Sequence, residues 1–237
     1  MNISELYSTR IQQSFDDDQA EIIAILKSAP PKTVLKLINY FKGMPVSYSA
    51  TINSIDRNTV DLDLQGEQAF TVEDSRSVFI RSPLFKFDVF ATAQYVNIKK
   101  RAASFTKLCY VEIVAEQRNF IRIKPEPTPV AIIETPQGAI EGHLYDISLT
   151  GINISVDNYC QLERGTEVKI KSTFRNIEQD VTINLNLPAR LVTIKDQTTP
   201  YSYIFTFTAD KELERQLSQY VFKRQIEIIR EIKDAVV

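Results

Sequence analysis

The sequence predicts a mainly β protein: two small antiparallel β-barrel domains in tandem, with helices at the N-terminal end and a long helix at the C-terminal end. Three observations carry this. Period-two runs rich in β-branched and aromatic residues fill the middle of the chain. Asp, Asn, Gly, Ser and Pro separate those runs at short intervals. The runs fall into two series with a break near residue 116, and 237 residues can bury two modest cores.

Taken in order, DDDQAEIIAILK (16–27) places acidic residues ahead of Ile22, Ile23, Ile25 and Leu26, as a short amphipathic helix does, and Ala29-Pro30-Pro31 ends it. The Asp16-Asp17-Asp18 run is expected to be a solvated helix start and not a metal site. TVLKLINYFKG (33–43) carries Val34, Leu35, Leu37, Ile38 and Phe41 at helical spacing and stops at Gly43, so a second helix capped by that glycine is expected. These helices form an N-terminal segment, 1–43.

VSYSATINSI, NTVDLDLQ, SVFIRS, KFDVFATAQYVNI and SFTKLCYVEIV then predict strands of a first β-domain, 44–115. A linker follows at 116–124. PVAIIET, AIEGHLYDISL, GINISV, TEVKIKSTF, DVTINLNLPARLVTI and SYIFTFTA predict a second closed or nearly closed β-domain, 125–237, since closure removes exposed edges. From Asp210 to Ala235, Leu213, Leu217, Tyr220, Val221, Ile228 and Ile232 form the apolar stripe of a long helix. That stripe packs on its own barrel or serves a dimer or partner.

Composition excludes several classes of function. A net charge of −2 argues against general nucleic-acid binding. MNISELYSTR lacks the apolar core of a secretory leader and no run of about 18 apolar residues occurs, so a cytoplasmic protein without a membrane span is expected. Cys109 and Cys160 have no CxxC partner and are expected as thiols within strands, without disulfide or zinc. The sequons at Asn2 and Asn153 are then accidental. His143 is the sole histidine and no phosphate-loop glycine pattern occurs, which leaves enzyme chemistry and a bound cofactor without support.

Charge is nevertheless uneven. Between Lys99 and Lys124 seven basic residues face two acidic ones, a local +5 that leaves −7 for the rest. Such focusing suits a compact anionic ligand. Within it, EQRNFIRIK (116–124) sets Arg118 and Arg122 four apart, a spacing that turns both side chains to one side. A guanidinium meets phosphate oxygens or the guanine O6/N7 edge with two parallel hydrogen bonds. Taken alone, two linker arginines fit surface ion pairs better than a ligand site. In LYDISLTGINI (144–154), Asp146 and Ser148 share a strand face and Gly151 opens the next strand. An Asp carboxylate can accept from guanine N1 and N2, and a glycine removes a Cβ where a ligand must approach. An ordinary hairpin turn uses the same residue types.

Together, Arg118-xxx-Arg122 followed by Asp146-x-Ser148-xx-Gly151 closely resembles the PilZ family. RGTEVKIK, LPARLVTI, SYIFTFT and the helix QLSQYVFKRQIEIIRE follow in the family's order, so the resemblance covers 116–237. The domain before it looks like the N-terminal partner domain of the flagellar-brake, YcgR-like members. The resemblance implies a six-stranded barrel that binds cyclic di-GMP as ligand. Arg118 and Arg122 would hold phosphates and guanine edges, Asp146 and Ser148 would read guanine, and Gly151 would leave room. Because the arginines lie on the connector and Asp146, Ser148 and Gly151 on the second barrel, a ligand touching both is expected to change the domain arrangement and create a contact for a protein partner not identifiable from sequence, in control of motility or biofilm-type behaviour. Gln117 departs from the further arginine that many relatives carry there, which bears on affinity and on whether one nucleotide or a stacked pair is bound. Two rival readings are a PilZ-like interaction module independent of nucleotide, and a barrel that stacks single-stranded nucleic acid on Phe105, Tyr110 and Phe120.

Overall fold

The computed structural model describes residues 3, 6–30, 32–176, 181–195 and 199–236, and the Asn2 sequon lies outside them. The protein is mainly β and divides into two compact units, Met1–Asn119 with Glu227–Val237, and Phe120–Ile226.

In the first unit, β1 (Ser8–Thr9), β2 (Val34–Phe41), β3 (Met44–Asp56), β4 (Thr59–Asp63), β5 (Ser77–Arg81), β6 (Asp88–Asn97) and β7 (Ala102–Glu112) form one antiparallel sheet. Its order is β1-β7-β4-β3-β2-β5-β6, and a further β6–β7 pairing links the last strand of that order to the second. Leu35, Leu37, Ile80, Val89, Phe105 and Leu108 fill its core. Helix α1 (Phe15–Ser28) adds Ile22, Ile23 and Leu26 to that core, and helix α2 (Gly66–Ser75) adds Ala69 and Val72. The acidic start of α1 has a local structural role. Ser14 caps the helix by accepting from the Asp17 N–H at 3.1 Å. Asp18 is buried rather than solvated, its carboxylate accepting from the Gln12 and Gln13 N–H groups.

Two expectations fail here. Residues 33–43 form no helix: β2 turns through Lys42 (φ 50°) and Gly43 (φ 91°) into β3, with Phe41 paired to Met44. The cause is double burial. Leu35 and Leu37 enter the main core, while Ile38 joins Leu6, Phe79, Val111 and Ile113 in a separate cluster. A strand buried on both faces loses clean alternation, and its apolar run can be mistaken for a helical stripe. Conversely, α2 was not expected; GEQAFTVEDS has little apolar content, and its Gln68 and Thr71 are buried by hydrogen bonding, Gln68 donating to Asn39 Oδ1.

The second unit is a closed barrel in the order β10-β13-β12-β11-β8-β9. Its strands are β8 (Val130–Thr135), β9 (Gly138–Ile147), β10 (Gly151–Val156), β11 (Glu167–Asn176), β12 (Val181–Lys195) and β13 (Tyr201–Phe207). Ile133, Leu144, Ile154, Ile170, Leu185, Tyr203 and Phe205 occupy the interior. His143 points outward from β9. Helix α3 (Lys211–Asp234) sets Leu217 and Tyr220 into this core, with the Tyr220 ring edge-on to Phe174. From Glu227 the helix counts with the first unit, where Glu231 accepts from Lys42 at 2.9 Å. No helix among the described residues is long and apolar enough to cross a membrane.

Candidate functional site

The site in the second unit starts from one short pairing. Ile123, wholly buried, exchanges backbone hydrogen bonds with Ile147 at the end of β9 (2.9 and 3.0 Å). That bridge fixes the backbone next to Arg122. Arg122 Nη1 comes to 3.8 Å from Asp146 Oδ1, with the arginine side chain 22% exposed and the aspartate 7%.

The β9–β10 turn completes the arrangement. Ser148 N–H donates to Gly151 O at 2.8 Å, and the Ser148 hydroxyl accepts from Gly151 N–H at 3.1 Å. Thr150 O accepts from Phe207 N–H (3.0 Å) and the Thr206 hydroxyl (3.1 Å), which ties the turn to β13. A Cβ on Gly151 would lie 3.4 Å from Ser148 Oγ and 3.9 Å from Arg122 Nη2. Arg122, Asp146, Ser148 and Gly151 therefore converge. The first two present a cationic fork beside a carboxylate, Ser148 braces the turn, and Gly151 keeps the space beside the fork open. Sequence reasoning missed Asn153, which is fully buried, pairs across from Asp146 and donates from Nδ2 to Asp146 Oδ2 at 3.2 Å. Its one available signal was its place on the Gly151 face of β10, two residues on.

Arg118 belongs to the first unit, where it follows the 3-10 turn Val114–Gln117. In the same unit Arg81 donates to Asp88 (2.6 and 2.8 Å) and to Glu116 (2.6 and 3.1 Å). Burial above all, then Glu116, pushes the Tyr40 hydroxyl up to about 12, with Arg118 and Arg81 opposing. Gln117 donates to Glu112 at 2.8 Å.

The basic run does not form one crevice. Lys99, Lys100 and Arg101 sit at the β6–β7 turn, Lys107 interrupts β7 with φ 53°, and Arg118 comes after the far end of that strand. Eleven residues of β7 span roughly 30 Å, so these charges act apart. Phe105 and Tyr110 are core residues, which removes them as stacking platforms; Phe120 remains 40% exposed. Lys124 places its Nζ 4.4 Å from the centre of the Tyr145 ring.

Residues 116–223 match the family model described as PilZ domain. Through this segment the chain is similar to the PilZ family. Among solved structures, that of YcgR in complex with c-di-GMP from Escherichia coli is similar at 17% identity over 95% of this chain and 100% of that one, with a TM-score of 0.44. The Bacillus subtilis inhibitor of motility MotI/DgrA follows at 12% identity over 84% and 98% (TM-score 0.42). The isolated YcgR PilZ domain with c-di-GMP, from Escherichia coli, shares 24% over 50% and 98% (TM-score 0.40). No curated protein matched by sequence. Arg118 and Arg122 lie at the start of the matched segment, and Asp146, Ser148 and Gly151 lie within it, around the β9–β10 turn.

Proposed function

We propose that this protein is a receptor for cyclic di-GMP that turns nucleotide binding into a changed arrangement of its two units and a new contact with a protein partner. The observation that carries the reading is the convergence of Arg122, Asp146 and Gly151 at one braced turn. A guanine nucleotide carries both matching halves, anionic phosphate oxygens for a guanidinium and N1/N2 donors for a carboxylate. Ser148 supports the turn, and Gly151 leaves room for the ligand. Arg118 supplies a second fork from the first unit. A ligand held by residues of both units biases their arrangement by its differential affinity for the two states. The output is binding and not turnover, and it controls motility or biofilm-type behaviour.

Thermal unfolding in the presence of cyclic di-GMP, cyclic di-AMP, GTP and a short oligonucleotide tests this. At a hundred-fold excess over Kd a ligand of the native state adds about 2.7 kcal/mol, so only cyclic di-GMP is expected to raise the Tm substantially. Equal responses to all four, or none, contradict the reading, and conversion of the nucleotide during incubation contradicts its non-enzymatic part. Small-angle scattering with and without cyclic di-GMP checks the conformational part; superimposable profiles at saturation count against it.

A further inference from the structure

Asp146 accepts a hydrogen bond from a neutral, fully buried amide. Asn153 Nδ2 donates to Asp146 Oδ2 at 3.2 Å, and Ser202, on β13, donates from Oγ to Asn153 Oδ1 at 2.8 Å. Three strands thus contribute one residue each to a relay that runs from the partly exposed Ser202 through the wholly buried Asn153 to the carboxylate.

The direction of the relay follows from the chemistry of its members. An ionised carboxylate only accepts, so the amide must turn its NH2 toward Asp146 and its oxygen toward β13. Ser202, whose hydroxyl can donate, fills the remaining position. The serine therefore selects the amide rotamer that serves the aspartate, and the register shift between Asn153 and Ile154 lies at this point of β10. A charged partner would neutralise Asp146 or compete with Arg122. A neutral donor holds Oδ2 in place, leaves the negative charge intact, and keeps Oδ1 on the side where Arg122 Nη1 stands at 3.8 Å.

We infer that Asn153, oriented by Ser202, is a positioning residue that aims the Asp146 carboxylate at the N1 and N2 donors of guanine and so sets base selectivity. The inference rests on the cyclic di-GMP reading above. It assigns the selectivity of the site to a side chain that need not touch the ligand.

The test compares affinity for cyclic di-GMP with affinity for its inosine analogue cyclic di-IMP, which lacks the 2-amino donor, in wild type, Asn153→Ala and Ser202→Ala. Wild type is expected to favour the guanine form. A hydrogen bond to a charged group is worth about ten-fold or more in affinity, so Asn153→Ala is expected to reduce that preference by about that factor, and Ser202→Ala by a smaller one in the same direction. A purely structural residue would weaken both ligands alike and leave their ratio unchanged. Should Asn153→Ala fail to fold, Ser202→Ala decides, because it keeps the buried amide. An unchanged ratio in the folded variants overturns the inference while leaving the receptor reading intact. Wild type that binds neither nucleotide overturns the receptor reading, and the inference with it.

Discussion

Two glycines of the second unit separate the needs of the fold from those of the site. At Gly142 a Cβ would meet Ser155 O at 2.5 Å, a backbone atom that cannot step aside, so Gly142→Ala is expected to cost about 1–3 kcal/mol in denaturant unfolding. At Gly151 the nearest atom would lie at 3.4 Å, an ordinary contact. Gly151→Ala is therefore expected to unfold within about 0.5 kcal/mol of wild type while binding cyclic di-GMP at least ten-fold more weakly, since the methyl enters the space beside Arg122. Loss of stability without loss of binding in calorimetry would invert that assignment. The thiols also divide. Burial, reinforced by Asp18, pushes Cys109 up to about 11, so it stays protonated through neutral pH. Labelling near pH 7.5 in the native state is expected at the partly exposed Cys160 well before Cys109, and equal rates would argue against the packing around Leu6 and Ile113. The residues legible in the sequence were those whose chemistry is local. Asp146, Ser148 and Gly151 lie within six positions; turn chemistry made them candidates, and the pairing with Arg118-xxx-Arg122 in a PilZ-like motif singled them out. Asn153 was not legible as a site residue because its meaning depends on partners 7 and 49 residues away.

At the scale of elements, period-two reading found the strands of both units because most are buried on one face, and the apolar stripe of α3 was visible as Leu217 and Tyr220. It failed at β2, where core and outer cluster take opposite faces of one strand. A pair of substitutions separates the two readings of that segment. Val34 and Leu37 lie three apart, on one side of a helix, yet in the sheet Val34 is 58% exposed and Leu37 is fully buried. Leu37→Ala is expected to cost about 2–5 kcal/mol and Val34→Ala less than about 0.5 kcal/mol by denaturant titration. Comparable losses would favour a shared helical face. Helix α2 escaped notice for a different reason: its anchoring runs through the Gln68 and Asn39 side chains, which hydropathy patterning cannot register.

Across the whole molecule, net charge is a poor guide to the ligand. The chain carries −2 overall, and its most basic stretch resolves into a hairpin tip and a connector separated by the length of β7. The basic residues that matter to the account are the connector's Arg118 and Arg122, which the sequence marks by their spacing of four within the basic stretch. Arg122 keeps some solvent contact, so its attraction for phosphate is partly screened. The affinity for cyclic di-GMP is accordingly expected to fall as salt rises from about 50 to 500 mM, with a shallower dependence in Arg122→Ala. The central claim is that a guanidinium and a carboxylate at one turn hold the two halves of a guanine nucleotide. Calorimetric titration of cyclic di-GMP into wild type, Arg118→Ala and Arg122→Ala measures this most directly. Truncating one partner of a desolvated charged contact costs about 2–5 kcal/mol, so each variant is expected to fold normally and lose at least ten-fold in affinity. Wild-type affinity in both folded variants would contradict the account.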